Sequence, residues 1–174
     1  LLSELATECF MPLCYGGGIS TFEQAEKLFK LGIEKVCLNT AVLKDPQLIK
    51  KISDHFGAQA VVVSIDVKKN FFGRYGCYFT SGMLSSSWTP LALAQEVEKL
   101  GAGEILINSI DRDGTMTGYD LALITEITKN VSVPVIACGG AAVLEDFKSA
   151  IDNGASAAAA GAAAGGAALR LRQQ

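Results

Sequence analysis

The sequence is short of positive charge and of histidine. Its 15 lysine and arginine residues are outnumbered by 18 acidic ones, its formal net charge is −3, and His55 is its one histidine. This balance argues against nucleic acid or an anionic membrane surface as a partner. Any phosphate-binding site must therefore be local rather than part of a broad basic surface.

Long apolar runs and metal-ligand spacings are also lacking. No uninterrupted apolar stretch could span a bilayer, and no signal peptide is visible. The five cysteines are an odd number, and their spacing matches no metal site: Cys9, Cys14, Cys37, Cys77 and Cys138. We interpret them as small buried hydrophobic residues in a reducing compartment. The sequence thus predicts a cytoplasmic protein with no metal and no cofactor.

What the sequence does contain is a regular alternation of strands and helices. With 174 residues and 49% hydrophobic content, residues 1–174 can bury the core of a single domain. Several β-rich runs are almost entirely apolar, which suits a parallel sheet covered on both faces. Two architectures fit, an open doubly wound sheet and a (β/α)8 barrel. The runs are Met11–Tyr15, Lys35–Asn39, Ala60–Asp66, Glu104–Ile110, Val133–Cys138 and Ser156–Gly161.

An internal repeat favours the barrel. The stretch Pro12–Ile19 returns as Pro134–Ala141, and each copy continues through a helical pattern, a glycine and a second apolar run. Equivalent units arranged around an axis produce such copies, so we predict a (β/α)8 barrel. Because about six βα units are visible, we expect N-terminal units of the barrel to be missing, with 1–9 forming a helix of an earlier unit. The Ala- and Gly-rich stretch 156–168 is interpreted as a further strand and helix.

Local signals place several element ends. Ser20 and Glu23 have the spacing of a capping box, and Thr89 precedes Pro90 as an N-cap residue precedes a proline in the first helical turn. The segment Lys68–Gly82, with alternating aromatic residues, predicts a hairpin inserted after a strand, on the face where loops carry function.

The repeated glycines indicate anion binding. Glycines directly after a strand let the backbone approach a ligand and direct its amides toward an anion. One Gly-Gly pair would be structural more often than not, but two copies near second strand ends favour a ligand with two phosphates. The predicted phosphate-binding residues are Gly17, Gly18, Asn39 and Thr40 at one site, and Asp113, Gly114, Gly139, Gly140, Gly161 and Ala162 at the other.

Asp66 is the most suggestive single residue, because it ends the apolar run that starts at Val61. Catalytic groups of barrels lie at the carboxyl ends of strands, and a partly desolvated carboxylate there can act as a general acid or base. From local sequence alone, a carboxylate that caps the next turn or pairs with Lys68 or Lys69 fits about as well.

Lys35 and Glu104 each stand at the start of a predicted strand, at the opposite mouth of the barrel. A structural salt bridge between them is the default interpretation.

Six stretches, in this order, closely resemble the cyclase subunit family of imidazole glycerol phosphate synthase (HisF). They are Gly16–Ile19, Lys35–Thr40, Gln59–Asp66, Gly101–Leu106, Ser109–Thr115 and Ala137–Ala141. The resemblance runs from about Met11 to Gly154, and its most specific block is Ser109–Thr115. It implies a (β/α)8 barrel built from two similar halves.

The resemblance also implies a reaction of histidine biosynthesis. Ammonia made from glutamine by a separate glutaminase subunit, the partner of a heterodimer, would pass through the barrel to a substrate with a phosphate at each end. Asp66 matches one of two acid/base aspartates, and the other belongs to a strand that this sequence does not contain. Lys35 and Glu104 match part of a charged ammonia gate. Glu34 and Gln59 lie on the rim where the glutaminase would dock.

Departures from the family pattern keep other functions open. Ser81–Leu84 lacks the expected lysines, Asn108 stands where threonine is usual, and Ala162 stands where serine is expected. The first two features also suit a paralogue that uses the same ammonia chemistry to place an amidino group on a surface-polysaccharide sugar. A third possibility is a non-enzymatic barrel fragment that acts as a scaffold.

Overall fold

The computed structural model describes residues 12–80 and 82–161. The strands are β1 (Cys14–Gly16), β2 (Lys35–Leu38), β3 (Val61–Lys69), β4 (Tyr75–Phe79), β5 (Leu84–Ser85), β6 (Glu104–Ser109), β7 (Val135–Cys138) and β8 (Ala157–Ala158). The helices are α1 (Phe22–Lys30), α2 (Ala41–Lys44), α3 (Gln47–Phe56), α4 (Pro90–Lys99), α5 (Leu121–Thr128) and α6 (Leu144–Asp152), with a 3₁₀ turn at Ala58–Ala60. The helices predicted over 1–9 and after 161 lie outside the described residues.

Six strands form a parallel sheet in the order β1-β2-β3-β6-β7-β8. Each crossover moves the chain one strand further in the same direction and passes through helical structure. A doubly wound sheet would instead reverse its order at a switch point. Because the order of the described strands never reverses, the sheet is part of a (β/α)8 barrel, and the predicted fold is confirmed.

The core lies between the outer face of the sheet and the helices. In β3, Val61, Val63 and Ile65 are at most 1% exposed, and so are Ile105 and Ile107 of β6. Burial of each such side chain contributes about 1.5–3 kcal/mol. The residues between them face the inside of the barrel. Because side chains alternate between the two faces of a strand, the polar residues of these mostly apolar strands point into the interior of the barrel.

The structure confirms one of the helix starts predicted from the sequence and corrects another. Thr89 caps α4 as predicted, since its hydroxyl accepts a hydrogen bond from Ala92 N at 3.2 Å. The capping box of α1, however, consists of Thr21 and Gln24 instead of Ser20 and Glu23. The extended backbone of Thr21 starts the helix one residue later, and Gln24 Oε1 then accepts from Ser20 N at 2.8 Å.

Within the described residues, no helix combines the length and apolar character that crossing a membrane requires.

The predicted hairpin is present. Strand β3 continues past Asp66 to Lys69 and pairs antiparallel with β4, which places Asp66 beside Tyr78. At its tip, Asn70 Oδ1 accepts from the backbone nitrogens of Phe72 and Arg74 at 3.0 Å each. The insertion therefore rises directly from the strand that carries Asp66.

Candidate functional site

Two cavities lie on the inner side of the sheet, and they share part of their walls. The lower cavity, about 460 Å³, is bounded by inward-facing residues from the amino-terminal parts of the parallel strands. The upper cavity, about 530 Å³, lies at the carboxyl ends of β1, β2 and β3. Gly16 and Cys37 line both. The inside of the barrel thus adjoins the end at which Asp66 lies.

Asp66 lines the upper cavity and is held by two asparagines from neighbouring strands. Asn39 Nδ2 donates to Asp66 Oδ2 at 3.2 Å, and Asn108 Nδ2 donates to Asp66 Oδ1 at 3.1 Å. Two N–H donors suit an ionised carboxylate, which accepts at both oxygens. Lys69, a suggested partner from the sequence, points elsewhere, because its Nζ lies 3.6 Å from Asp120 Oδ2.

Asn39 is itself held in place by hydrogen bonds that lead to the end of the hairpin. Asn39 Nδ2 also donates to Ser64 O at 3.1 Å, and Asn39 Oδ1 accepts from the Thr40 hydroxyl at 3.2 Å. Thr40 Oγ1 in turn accepts from Thr80 N at 3.3 Å. Asn39 and Thr40, predicted as phosphate ligands, are therefore also fixed to Asp66.

The first predicted phosphate site has open glycines. Gly17 and Gly18 have φ values of +113° and +73°, and nothing lies within 4 Å of the position that a Cβ would occupy. Both line the upper cavity with Asn39 and Thr40. Conformation and ligand access, rather than packing, thus account for glycine at these positions.

Lys44 is a candidate ligand that the sequence analysis missed. It ends α2 and lines the same cavity as Gly17 and Gly18. The available signal was its spacing, because it follows Thr40 by one helical turn and so returns to the same side of the chain.

The second glycine pair has a packing reason instead. A Cβ on Gly139 would lie 2.5 Å from Ser109 O, and one on Gly140 would lie 2.4 Å from Gly118 O. Gly118 N also donates to Gly140 O at 2.8 Å. Close contact with the loop after β6 therefore requires glycine here, whether or not an anion binds.

The remaining residues predicted for the second phosphate site differ in how they are placed. Asp113 and Gly114 are exposed in the loop after β6, and Gly114 and Gly161 have no neighbour within 4 Å of a Cβ position. Ala162 lies outside the described residues. The two sites are thus unequal, and the first has the better-defined geometry.

Lys35 and Glu104 form the expected ion pair. Lys35 Nζ contacts Glu104 Oε1 across the inside of the barrel, from β2 to β6 over the intervening β3. The two side chains are 20% and 13% exposed, and both line the lower cavity. The pair therefore stands at the end of the interior opposite to Asp66.

Glu34 and Gln59 are exposed at this same end, just before β2 and β3. Gln59 Nε2 donates to Phe56 O at 3.1 Å. This bond satisfies a terminal carbonyl of α3, so Gln59 has a local structural role besides the predicted interface.

The thiols of Cys37 and Cys138 are poor nucleophiles. Burial, with smaller contributions from Cys14 and Asp66, raises the pKa of Cys37 to about 12. Burial and the nearby Asp113 also raise the pKa of Cys138. Cys37 is thus a neutral thiol at pH 7. In the part of the chain that the structure describes, no three His, Cys, Asp or Glu side chains form a group that could hold a metal ion.

Sheet order and polar side chains at the carboxyl ends of strands define the class: this is a protein of the (β/α)8-barrel type. The family follows from comparison with known sequences. The family model described as "Histidine biosynthesis protein" matches residues 1–166. The chain belongs to the histidine biosynthesis protein family.

Curated relatives share the HisF name. A Pseudomonas aeruginosa protein, provisionally named imidazole glycerol phosphate synthase subunit hisF2, is 54% identical over 84% of this chain and 58% of its own length. A Vibrio vulnificus protein, provisionally named subunit hisF3, is 44% identical over 84% and 56%. The imidazole glycerol phosphate synthase subunit HisF of Chlorobium limicola is 44% identical over 90% and 62%. The chain thus spans about three fifths of the length of these relatives.

Proposed function

We propose that this chain is part of the cyclase subunit of an imidazole glycerol phosphate synthase. The observation that carries the proposal is the position of Asp66: its carboxylate lies in a cavity with the open glycines Gly17 and Gly18, next to the barrel interior. The names of the relatives support the same reaction. The proposed substrate is an aminoimidazole ribotide precursor with a phosphate at each end.

In the proposed reaction, ammonia enters past the pair Lys35 and Glu104 and passes along walls that include Val62 and Leu106. It meets the substrate beside Asp66, whose ionised carboxylate accepts a proton from the attacking nitrogen. Ring closure and cleavage then give imidazole glycerol phosphate and an aminoimidazole carboxamide ribotide.

The phosphates are assigned to two anchors. One lies at Gly17, Gly18, Asn39 and Thr40. The other lies at Asp113, Gly114, Gly139, Gly140, Gly161 and Ala162. Backbone amides at strand ends bind phosphate without a broad basic surface, which agrees with the negative net charge. A glutaminase subunit is proposed to dock on the opposite rim, where Glu34 and Gln59 are exposed.

Asp66→Asn tests the proposal. We expect kcat with ammonium and the precursor to fall by about 10²–10⁴-fold, since a general acid/base is lost. Binding of the precursor, measured by calorimetry, should change little. The matched control is Asp54→Asn, which alters an exposed carboxylate paired with Lys50. A large loss of binding in Asp66→Asn would assign Asp66 to substrate positioning, and an inactive wild-type full-length protein would end the proposal.

A second candidate is the paralogue that places an amidino group on a polysaccharide sugar. It is favoured by Asn108 in place of threonine, and by the absence of the expected lysines from Ser81–Leu84. It predicts weak turnover of the histidine precursor and a gene neighbourhood of nucleotide-sugar enzymes. A gene located within a histidine operon would exclude it.

A further inference from the structure

Thr80, directly after strand β4 of the hairpin, has a backbone conformation that threonine rarely adopts. Its φ is +54°, and among the described residues the other positive φ angles belong to twelve glycines and to Met116. A β-branched residue at positive φ is strained, because its side chain crowds the backbone. Such strain persists only where the surrounding structure holds it, and it is typical of ligand-binding sites. Thr80 therefore needs an explanation beyond the formation of a turn.

Two backbone hydrogen bonds hold Thr80 in this conformation. Thr80 N donates to Thr40 Oγ1 at 3.3 Å, and Thr80 O accepts from Met83 N at 3.3 Å. Glycine would make both bonds at this φ without strain, since neither bond uses the side chain of residue 80. What glycine could not supply is a hydroxyl group. The presence of threonine is thus explained by its side chain and not by its backbone.

The side chain of Thr80 is accessible to a ligand. Thr80 is exposed and lines the upper cavity together with Gly17, Gly18 and Lys44. Among the described residues, its hydroxyl has no hydrogen-bond partner. A free O–H group, open backbone amides and an ammonium group in one cavity wall are all hydrogen-bond donors. Phosphate, whose oxygens accept several hydrogen bonds at once, is the ligand that this set of donors fits.

The neighbouring hydroxyl of Thr40 has no proton left for a ligand. A hydroxyl group carries one proton, and Thr40 donates its proton to Asn39 Oδ1 at 3.2 Å. The same oxygen accepts from Thr80 N. Both contacts of the Thr40 hydroxyl therefore serve the fold, and Thr80 presents the available proton of this pair of threonines.

We propose that Thr80 is a phosphate ligand of the first anchor, in which its Oγ1–H donates to a phosphate oxygen held at Gly17 and Gly18. This inference rests on the proposed function and adds a residue of the hairpin to the substrate-binding site. Thr40 acts as a positioning residue, because it holds the backbone of Thr80. The strained turn is retained because it aims the hydroxyl at the phosphate.

A binding experiment on the full-length protein tests the hydroxyl, with inorganic phosphate as the probe and the amide resonances of Gly17 and Gly18 as the readout. Thr80→Val keeps the branched shape and the strain but removes the hydroxyl, so the Kd for phosphate should rise about tenfold, as expected for one hydrogen bond to a charged group. Thr80→Ser keeps the hydroxyl and should stay within about twofold of wild type. Ser87→Ala, at an exposed position outside the cavity, is the control.

A stability experiment separates ligand binding from a structural role. Thr80→Gly removes the strain and the hydroxyl together, so it should unfold at a higher urea concentration than wild type and still bind phosphate as weakly as Thr80→Val. Met116→Gly relieves a positive φ of +57° at a residue that does not line the upper cavity, and it should leave the Kd at this anchor unchanged. A threonine with a purely structural role would not lose affinity while the protein gained stability.

Three results would overturn the inference: no phosphate-induced shift of the Gly17 and Gly18 resonances in wild type, equal affinities for Thr80→Val and wild type, or an equal loss in Thr80→Ser and Thr80→Val. Turnover is a separate readout. If wild type binds phosphate at these glycines but does not convert the bisphosphate precursor, the proposed function fails, and the Thr80 variants still decide the inference. In an active protein, Thr80→Val should raise KM about tenfold with kcat near the wild-type value, because the phosphate is bound equally in the ground and transition states.

Discussion

At the residue scale, Lys44 supplies the positive charge of the upper cavity. It is the one cationic side chain among the described lining residues, and it shares that cavity with Gly17 and Gly18. A lysine near open backbone amides favours a phosphate group, because charge-assisted hydrogen bonds add to those of the amides.

Lys44→Ala should weaken binding of the bisphosphate precursor about tenfold, equivalent to about 1.4 kcal/mol, as measured by calorimetry. Lys30→Ala is the control, since Lys30 pairs with Glu26 on the outer surface of α1. Equal affinities for Lys44→Ala and wild type would remove Lys44 from the phosphate site.

Cys37 gives a second prediction at this scale. Its pKa is raised from 9.0 to about 12, chiefly by burial, and alkylation requires the thiolate. Iodoacetamide at pH 8 should therefore modify Cys37 in the folded protein about 10³-fold more slowly than in urea, as followed by peptide mass spectrometry.

The same raised pKa sets a direction for stability. The pKa of Cys37 in the folded state lies above that of the free thiol. The contribution of Cys37 to the free energy of unfolding is therefore fully present below pH 9.0 and is lost as pH rises toward about 12. In the alkylation experiment, modification of Cys37 by iodoacetamide as fast in the folded protein as in urea would show that this thiol is not buried.

At the element scale, the hairpin is fastened to the start of α5. Tyr75 Oη of β4 donates to Asp120 Oδ1 at 2.8 Å, and Lys69 Nζ lies 4.7 Å from the centre of the Tyr75 ring. Asp120 is 6% exposed and also caps α5 by accepting from Leu123 N at 3.3 Å. One carboxylate thus joins the insertion to the unit that follows the loop of Asp113 and Gly114.

Tyr75→Phe should lower the free energy of unfolding by about 1 kcal/mol, because it removes one hydrogen bond to a buried carboxylate that keeps its other partners. Tyr78→Phe is a matched control on the same strand, since no described residue hydrogen-bonds to its hydroxyl. Urea unfolding followed by fluorescence measures both variants. Equal losses in the two would mean that the Asp120 contact contributes nothing specific.

At the scale of the whole molecule, the pair Lys35–Glu104 and the carboxylate of Asp66 lie at opposite ends of one interior. If ammonia passes between them, disturbing the pair should affect ammonia delivered by the glutaminase more than ammonia supplied in solution.

Lys35→Met should therefore lower glutamine-dependent turnover at least about tenfold more than ammonium-dependent turnover, a difference of about 1.4 kcal/mol. Both rates are measured on the assembled full-length complex. A variant with both Lys35→Leu and Glu104→Leu controls for the loss of charge balance that the single change causes at this half-buried pair. Equal losses in both assays would assign the pair to stability alone.

Some parts of the site were predictable because their chemistry depends on local sequence. Asp66 ends the apolar run of β3, although the strand itself continues to Lys69, and parallel strands place the ends of such runs at one mouth of the barrel. Gly17 and Gly18 follow a strand directly, where positive φ angles are needed. The capping box of α1 was misplaced by one residue, because Ser20 and Thr21 are both good N-caps and the entering backbone decided between them.

Contacts between distant strands could not be predicted in this way. Asn108 and Asp66 are 42 residues apart, and their pairing depends on the register of β3 with β6. The hydrogen bond from Tyr75 to Asp120 depends on how the hairpin packs against the start of α5. Neither arrangement leaves a pattern in the sequence.

The sequence by itself determined the alternation of strand and helix, the repeat, and the residue types at the strand ends, since each follows from neighbouring residues. Tertiary structure decided which of these groups meet. It gave Gly17 and Gly18 open space but packed Gly139 and Gly140 against the backbone. The reason is physical: hydrogen bonds and close packing depend on distances of a few tenths of an ångström, which strand register and barrel closure set.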